Sequence, residues 1–331
     1  MFYLGRENSV RWHREFAYRP HVSGKHKKNR RNMTSSNLKC PKCGEFIIPK
    51  HGIYKTTASY SDCLRSCDKC EIGFSNAKNK PTIIYKNHHH NIPDLLRQDL
   101  DNSLNNSLNI FNRKNKKNKF GFSTSEDALT WSFFKYFAVE QKYSDLLELL
   151  NIDSAETEFD IYLWGTKITN LDNDSELIDK LIKTSDFFKE SSSKRTEPDV
   201  IITLVDKIIF IEVKYLSQNE ITANSNKFTK YLIPEIETKE LLESGHYELF
   251  RNWVFASNLS GGKEFCLINL GPKRLFVDKN KDKLFQFEKA LKSINGNFSK
   301  VSWEDILARI NISDYEAWFK KYLNEKLSAS R

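Results

Sequence analysis

The most constraining stretch of this 331-residue chain lies between Pro198 and Lys214. Asp199 is followed by twelve residues, nine of them Val, Ile, Leu or Phe, and then by Glu212-Val213-Lys214. Two apolar runs, Val200–Val205 and Ile208–Tyr215, read as consecutive strands. Neither run alternates apolar with polar, so both faces of such strands are buried, which calls for helices on either side of a sheet. If the chain turns at Asp206-Lys207, Val205 faces Ile208, Asp199 stands opposite Lys214 and Ile201 opposite Glu212. Side chains alternate along strands, so Asp199, Glu212 and Lys214 then share one face. Asp199 and Glu212 become diagonal neighbours, roughly 7–8 Å apart. An odd-length turn breaks this alignment. Two acids and a lysine at the end of a buried hairpin are costly to desolvate unless they bind something; the plain alternative is an ion pair at a sheet edge.

The surrounding pattern predicts an α/β domain with a mixed central sheet flanked by helices, from about residue 120 to 331. Ser123-Thr-Ser-Glu126 has the form of a capping box ahead of a very apolar helix running through Trp131 and Phe137. A strand is expected at Phe159–Trp164, a helix near 175–188, a helical stretch at His246–Ala256, a strand at Phe265–Leu270 and helices at the C-terminus. Ser302…Asp305 and Ser313…Glu316 repeat the capping pattern there. Upstream, Pro93 is a favoured first helical residue, and Leu96, Leu100, Leu104 and Leu108 recur every four residues on one face. Residues 92–119 therefore read as a connecting helix followed by a basic linker.

Charge divides the chain unevenly. Residues 1–31 hold nine Lys or Arg against Glu7 and Glu15, so this arm carries +7 of the net +9. Such an arm suggests a polyanionic partner; a solvated tail without a specific role, or a true start at Met33, would explain it equally. The run Arg113, Lys114, Lys116, Lys117 and Lys119 looks like a loop able to follow a phosphate backbone, or a plain linker. Aromatic residues make up 13% of the chain, enough apolar material to rule out a wholly disordered chain. No apolar run approaches the roughly 18 residues of a membrane span. The charged N-terminus lacks the apolar stretch of a signal peptide, so a cytoplasmic location is expected.

In a reducing compartment the six cysteines are metal ligands or free thiols rather than disulfides. Cys40-Pro-Lys-Cys43 and Cys67-Asp-Lys-Cys70 are separated by 23 residues. Two such knuckles supply four thiolates in a tetrahedron, which suits structural Zn²⁺. An iron–sulfur cluster is the other candidate, and Cys63 is a spare thiol that could replace a ligand. Cys266 lies in an apolar strand and reads as a core residue. His88-His89-His90 is either metal-binding or a surface turn. The segment 33–91, through its CPKCG knuckle and returning CDKC, resembles a zinc ribbon, a module that often binds nucleic acid or protein.

Pro198-Asp199, the twelve-residue spacer and Glu212-Val213-Lys214 resemble the motif of the PD-(D/E)XK, or restriction-endonuclease-like, nuclease superfamily. The resemblance extends over roughly residues 120–270. It implies that Asp199 and Glu212 hold one or two Mg²⁺ ions, with the carbonyl of Val213 as an extra ligand, and that Lys214 orients or activates the attacking water. Many members carry a further metal-binding Glu in the preceding helix, where Glu126 stands; its capping position explains it equally well. Arg251 is a candidate phosphate contact or an arginine with a packed stem. The expected function is a Mg²⁺-dependent endonuclease acting on DNA in bacterial restriction or anti-phage defence, alone, as a homodimer or with a partner subunit. The alternatives are a non-catalytic zinc-ribbon scaffold or nucleic-acid-binding protein, and an RNA nuclease of the same fold.

Overall fold

The computed structural model describes residues 38–50, 57–77, 81–169, 175–234, 236–277, 279–292 and 295–328. The basic arm, Met33 and the start of the cysteine segment lie outside the described residues. The described residues belong to one compact unit.

The cysteine segment builds a small antiparallel sheet of β1 (Arg65–Cys67), β2 (Ile72–Phe74) and β3 (Ile83–Tyr85). Gly73 lies against Cys63, where a Cβ would meet the thiol sulfur at 2.5 Å. The sheet is joined to the rest of the chain. The Tyr85 amide donates to the Gly121 carbonyl (2.8 Å) and the Ser123 amide to Ile83 (2.8 Å). Asn91 spans the carbonyls of Phe120 and Phe122, 2.6 Å from each.

The predicted connecting helix is broken. Asp94–Leu96 forms a single 3₁₀ turn, Asp99 takes a left-handed conformation at φ 64°, and only then does α1 (Leu100–Asn106) begin. Leu96, Leu100 and Leu104 nevertheless enter one core, and Leu108 another. The basic run is not a loop either: Arg113–Phe120 forms α2. Lys116 is buried within it, 2.6 Å from Glu197 and 3.6 Å from Asp127, and lies over the Trp164 ring at 4.3 Å. Burial opposes its charge, but Asp127 and Glu197 hold its pKa above the usual lysine value.

From α3 (Glu126–Val139) the order is α4 (Tyr143–Leu149), β4 (Asp160–Leu163), β5 (Thr166–Lys167), α5 (Ser175–Phe187), β6 (Val200–Thr203), β7 (Lys207–Val213), α6 (Asn226–Thr229), α7 (Thr238–Ser244), α8 (Tyr247–Ser260), β8 (Glu264–Gly271), α9 (Lys279–Ala290), β9 (Gly296–Ser302), α10 (Trp303–Ile312) and α11 (Ala317–Ser328). The strands lie in the order β5-β4-β6-β7-β8-β9. Pairing is antiparallel up to β7 and parallel from β7 through β9. Helices cover both faces, as the doubly apolar strands require. Ile202, Ile209, Ile211 and Val213 pack with residues of α3, α10 and α11. Ile201, Phe210 and Leu267 pack with residues of α5, α8 and α9.

Local signals hold in part. Ser302 caps α10 by accepting from the Asp305 amide at 3.0 Å. Ser313 instead ends α10, and Glu316 spends its carboxylate on Tyr136 and Lys142. Ahead of α3 the cap is Ser125, which accepts from the Ala128 amide at 3.2 Å. Glu126 is thus the first helical residue rather than the closing acid of a capping box.

Removing the amine of Lys116 leaves the buried Glu197 carboxylate without its ion-pair partner. Lys116→Ala is therefore expected to cost about 3–5 kcal/mol of stability, read as a lowered midpoint in denaturant unfolding. A wild-type midpoint would show that Glu197 does not depend on Lys116.

Candidate active site

The site grows from the β6–β7 hairpin. The Leu204 amide bonds the Lys207 carbonyl at 2.9 Å, closing a two-residue turn at Val205-Asp206 that leaves Val205 77% exposed. This is one step earlier than the expected turn, because Lys207 is already in β7, paired with Glu264 of β8. The ladder then matches Val200 with Ile211 and Ile201 with Phe210. The paired ladder ends at Val200, so Asp199 follows its last rung on the side of Glu212 rather than of Lys214. Both turns contain an even number of residues, so Asp199, Glu212 and Lys214 still share a face.

Each side chain is held by specific partners. Asp199 Oδ2 accepts from the Val213 amide at 2.8 Å. Glu212 Oε1 meets Lys214 Nζ at 2.6 Å, and its Oε2 accepts from Asn252 Nδ2 of α8 at 2.7 Å. Lys214 Nζ also meets Glu248 of α8 at 3.0 Å. The main chain at Lys214 is pinned twice: its amide donates to Leu270 (2.7 Å), and its carbonyl accepts from the Trp303 indole (2.8 Å). Val213 turns its side chain into the opposite core. Glu126, at the start of α3, accepts from the Tyr215 amide and the Ser217 hydroxyl, each at 2.7 Å. That contact brings it to the end of β7, beside Lys214.

The electrostatics follow from burial. Desolvation raises the Asp199 pKa well above 3.8, and the facing Glu212 raises it further. Burial also raises Glu126, against the pull of Lys214. For Lys214 burial works the other way, but Glu212, Glu248, Asp199 and Glu126 together hold its pKa above the usual lysine value. Arg251 has a packed, half-buried stem. It lies near Glu212 and Glu248, with its guanidinium 5.4 Å from the centre of the Tyr247 ring. Glu126, Asp199, Glu212 and Glu248 against Lys214 and Arg251 leave a formal surplus of two negative charges. Asn252 Oδ1 and Arg251 Nε are buried without hydrogen-bond partners. A buried carboxylate set short of positive charge, beside an unsatisfied amide oxygen, fits a hard divalent cation.

Sequence reasoning missed Glu248 and Asn252. They are four residues apart, hence on one face of α8, but their proximity to Glu212 depends on how that helix docks. Asn269 of β8 was also missed; it donates to the Glu212 carbonyl at 3.4 Å and pairs with Asn219.

The sulfur atoms of Cys40, Cys43, Cys67 and Cys70 all lie within 4.8 Å of one another. Cys63 is not among them; buried, it donates to the Ser59 carbonyl at 3.7 Å. Among the described residues the carboxylates of Asp199, Glu212 and Glu126 do not form a group that tight; their oxygens remain engaged with Val213, Lys214, Asn252, Tyr215 and Ser217.

Ionising Asp199 costs stability. Its native pKa is raised, so between the ordinary carboxyl value and the native one the folded state holds more protons than the unfolded state. Stability therefore falls as pH rises through that window. Asp199→Asn keeps an acceptor for the Val213 amide and removes the charge. In magnesium-free buffer at neutral pH it is expected to unfold at higher urea than the wild type, by about 1 kcal/mol or more. The difference should vanish below the ordinary carboxyl value. An equal or lower midpoint at neutral pH would refute the charge crowding.

Comparison with curated proteins and with solved structures gives no match. A family model described as "Restriction Endonuclease associating with ARP" matches residues 78–327, about three quarters of the chain. The mixed sheet flanked by helices fits a restriction-endonuclease-like fold. No helix among the described residues is long and apolar enough to cross a membrane. The chain belongs to the family of restriction endonucleases associating with ARP.

Proposed function

We propose that this chain is a Mg²⁺-dependent endonuclease of the PD-(D/E)XK type, cleaving DNA in restriction or anti-phage defence in the cytoplasm. One observation carries the reading: Asp199, bonded to the Val213 amide at the end of the β6–β7 hairpin, lies within electrostatic reach of Glu212 and Lys214, with a shortage of positive charge around them. Asp199 and Glu212 would hold the Mg²⁺, with the Val213 carbonyl and Glu126 as further ligands. Bound there, the cation supplies Lewis acidity toward a phosphodiester oxygen. The chain's own residues do the rest. Lys214, kept protonated by its acid neighbours, donates hydrogen bonds to the attacking water and to charge growing on the phosphorus oxygens. Asn252 and Glu248 set the direction of Glu212 and Lys214 from α8.

The four-thiol group of Cys40, Cys43, Cys67 and Cys70 would hold a structural Zn²⁺, making the N-terminal segment a zinc ribbon. Its third strand hydrogen-bonds to the loop before α3, so a nucleic acid or protein gripped by the ribbon would lie on the same body as the catalytic residues. The family description couples its members to ARP. A protein partner of this chain is proposed on that ground.

Asp199→Ala should abolish plasmid nicking in Mg²⁺ while a gel shift in Ca²⁺ is retained. Lys214→Ala should likewise abolish cleavage but keep metal affinity. Parallel assays on single-stranded RNA decide the nucleic acid. Wild-type nicking by Asp199→Ala would refute this catalytic assignment and favour a non-catalytic scaffold. For the ribbon, metal analysis should give about one zinc held by the four thiols together, and Cys43→Ser should lower the zinc content and destabilise the segment. Unchanged zinc content would refute that ligand set.

A further inference from the structure

We infer that His88, His89 and Asp101 form a second transition-metal site, separate from the four thiols and from the carboxylates around Lys214. His88 Nε2 lies 3.1 Å from Asp101 Oδ1, and His89 Nε2 lies 2.8 Å from Asp101 Oδ2. All three ligand atoms fall within 4.8 Å of one another. Ligand atoms around a tetrahedral zinc are separated by roughly 3.3 Å, given metal–ligand bonds near 2 Å, so only a small outward shift is needed.

The arrangement is built rather than incidental. His88–Asn91 forms a 3₁₀ turn directly after β3, capped by Asn87, whose side chain accepts from the His89 amide at 3.0 Å. Arg97 Nε donates to the His89 carbonyl at 2.9 Å. Phe120 stands edge-on to the His88 ring at 6.0 Å. Two adjacent histidines thereby aim the same ring nitrogen at one carboxylate from α1. Two imidazoles and a carboxylate suit zinc and its neighbours better than magnesium, and three protein ligands leave one position for water. Lys117 Nζ, 2.9 Å from Asp101 Oδ1, already places positive charge beside this carboxylate. Its side chain is 42% exposed and free to swing aside. A metal here would clasp the end of the cysteine segment to α1.

The same distances are those of a simple hydrogen-bonded triad, and a cobalt titration separates the two. Co²⁺ added to the full chain should fill the thiol group with intense thiolate charge-transfer absorption. A further equivalent should then bind with only weak visible bands. Asp101→Asn and His89→Gln, both close in size to the native residues, should lose this further equivalent and keep the thiolate bands. Lys117→Ala should bind it at least as tightly as the wild type. Uptake that stops with the thiolate-bearing metal, or a further equivalent that survives both substitutions, overturns the site. Absence of the thiolate bands would refute the zinc ribbon alone, since the histidine-bound cobalt is read independently.

Discussion

Two acids brought together at the end of a buried hairpin are the constraint around which this site is arranged. A charge on Glu212 disfavours a charge on Asp199. Asp199 and Glu212 are further penalised by burial. The neighbours answer this cost one contact at a time. Lys214 and Asn252 occupy the two oxygens of Glu212, Val213 donates to Asp199, and Glu248 takes the other side of Lys214. The result is stable without being neutral, a state characteristic of sites that await a ligand.

The same economy governs the chain's other charges. A run that reads as an electrostatic surface is partly consumed in folding: Lys116 closes on Glu197 and Asp127, immediately behind the Pro198-Asp199 motif. Glu197 also accepts from the Asn109 amide at 2.7 Å, so α2 and its preceding turn are tied to the strand that presents Asp199. At the other end of the chain, Lys326 of α11 is buried and donates to Asn91 and the Ser123 carbonyl. Desolvation lowers its pKa to about 7. It joins the last helix to the junction between the cysteine segment and α3.

Much of the site could be read from the residues because period-two alternation is a covalent property of extended chain. Any hairpin with an even turn puts Asp199, Glu212 and Lys214 on one face, wherever the turn falls. The doubly apolar strands likewise required helices on both faces. The four-cysteine cluster follows from two knuckles that each set a pair of thiols on one side of a turn. Strong local rules of this kind need no knowledge of distant contacts.

What tertiary structure alone decided depends on partners far apart in sequence. The register shifted because Lys207 pairs with Glu264, 57 positions away, so the turn closed around Val205-Asp206. Glu126 left its expected cap for the amide of Tyr215, and Glu316 left its own for Tyr136. Glu248 and Asn252 became neighbours of Lys214 and Glu212 through the docking of α8, and the helix of the basic run turned Lys116 inward to Glu197. In each case a buried charge or amide took its best available partner, and that partner exists only once the sheet and its two helical layers have assembled.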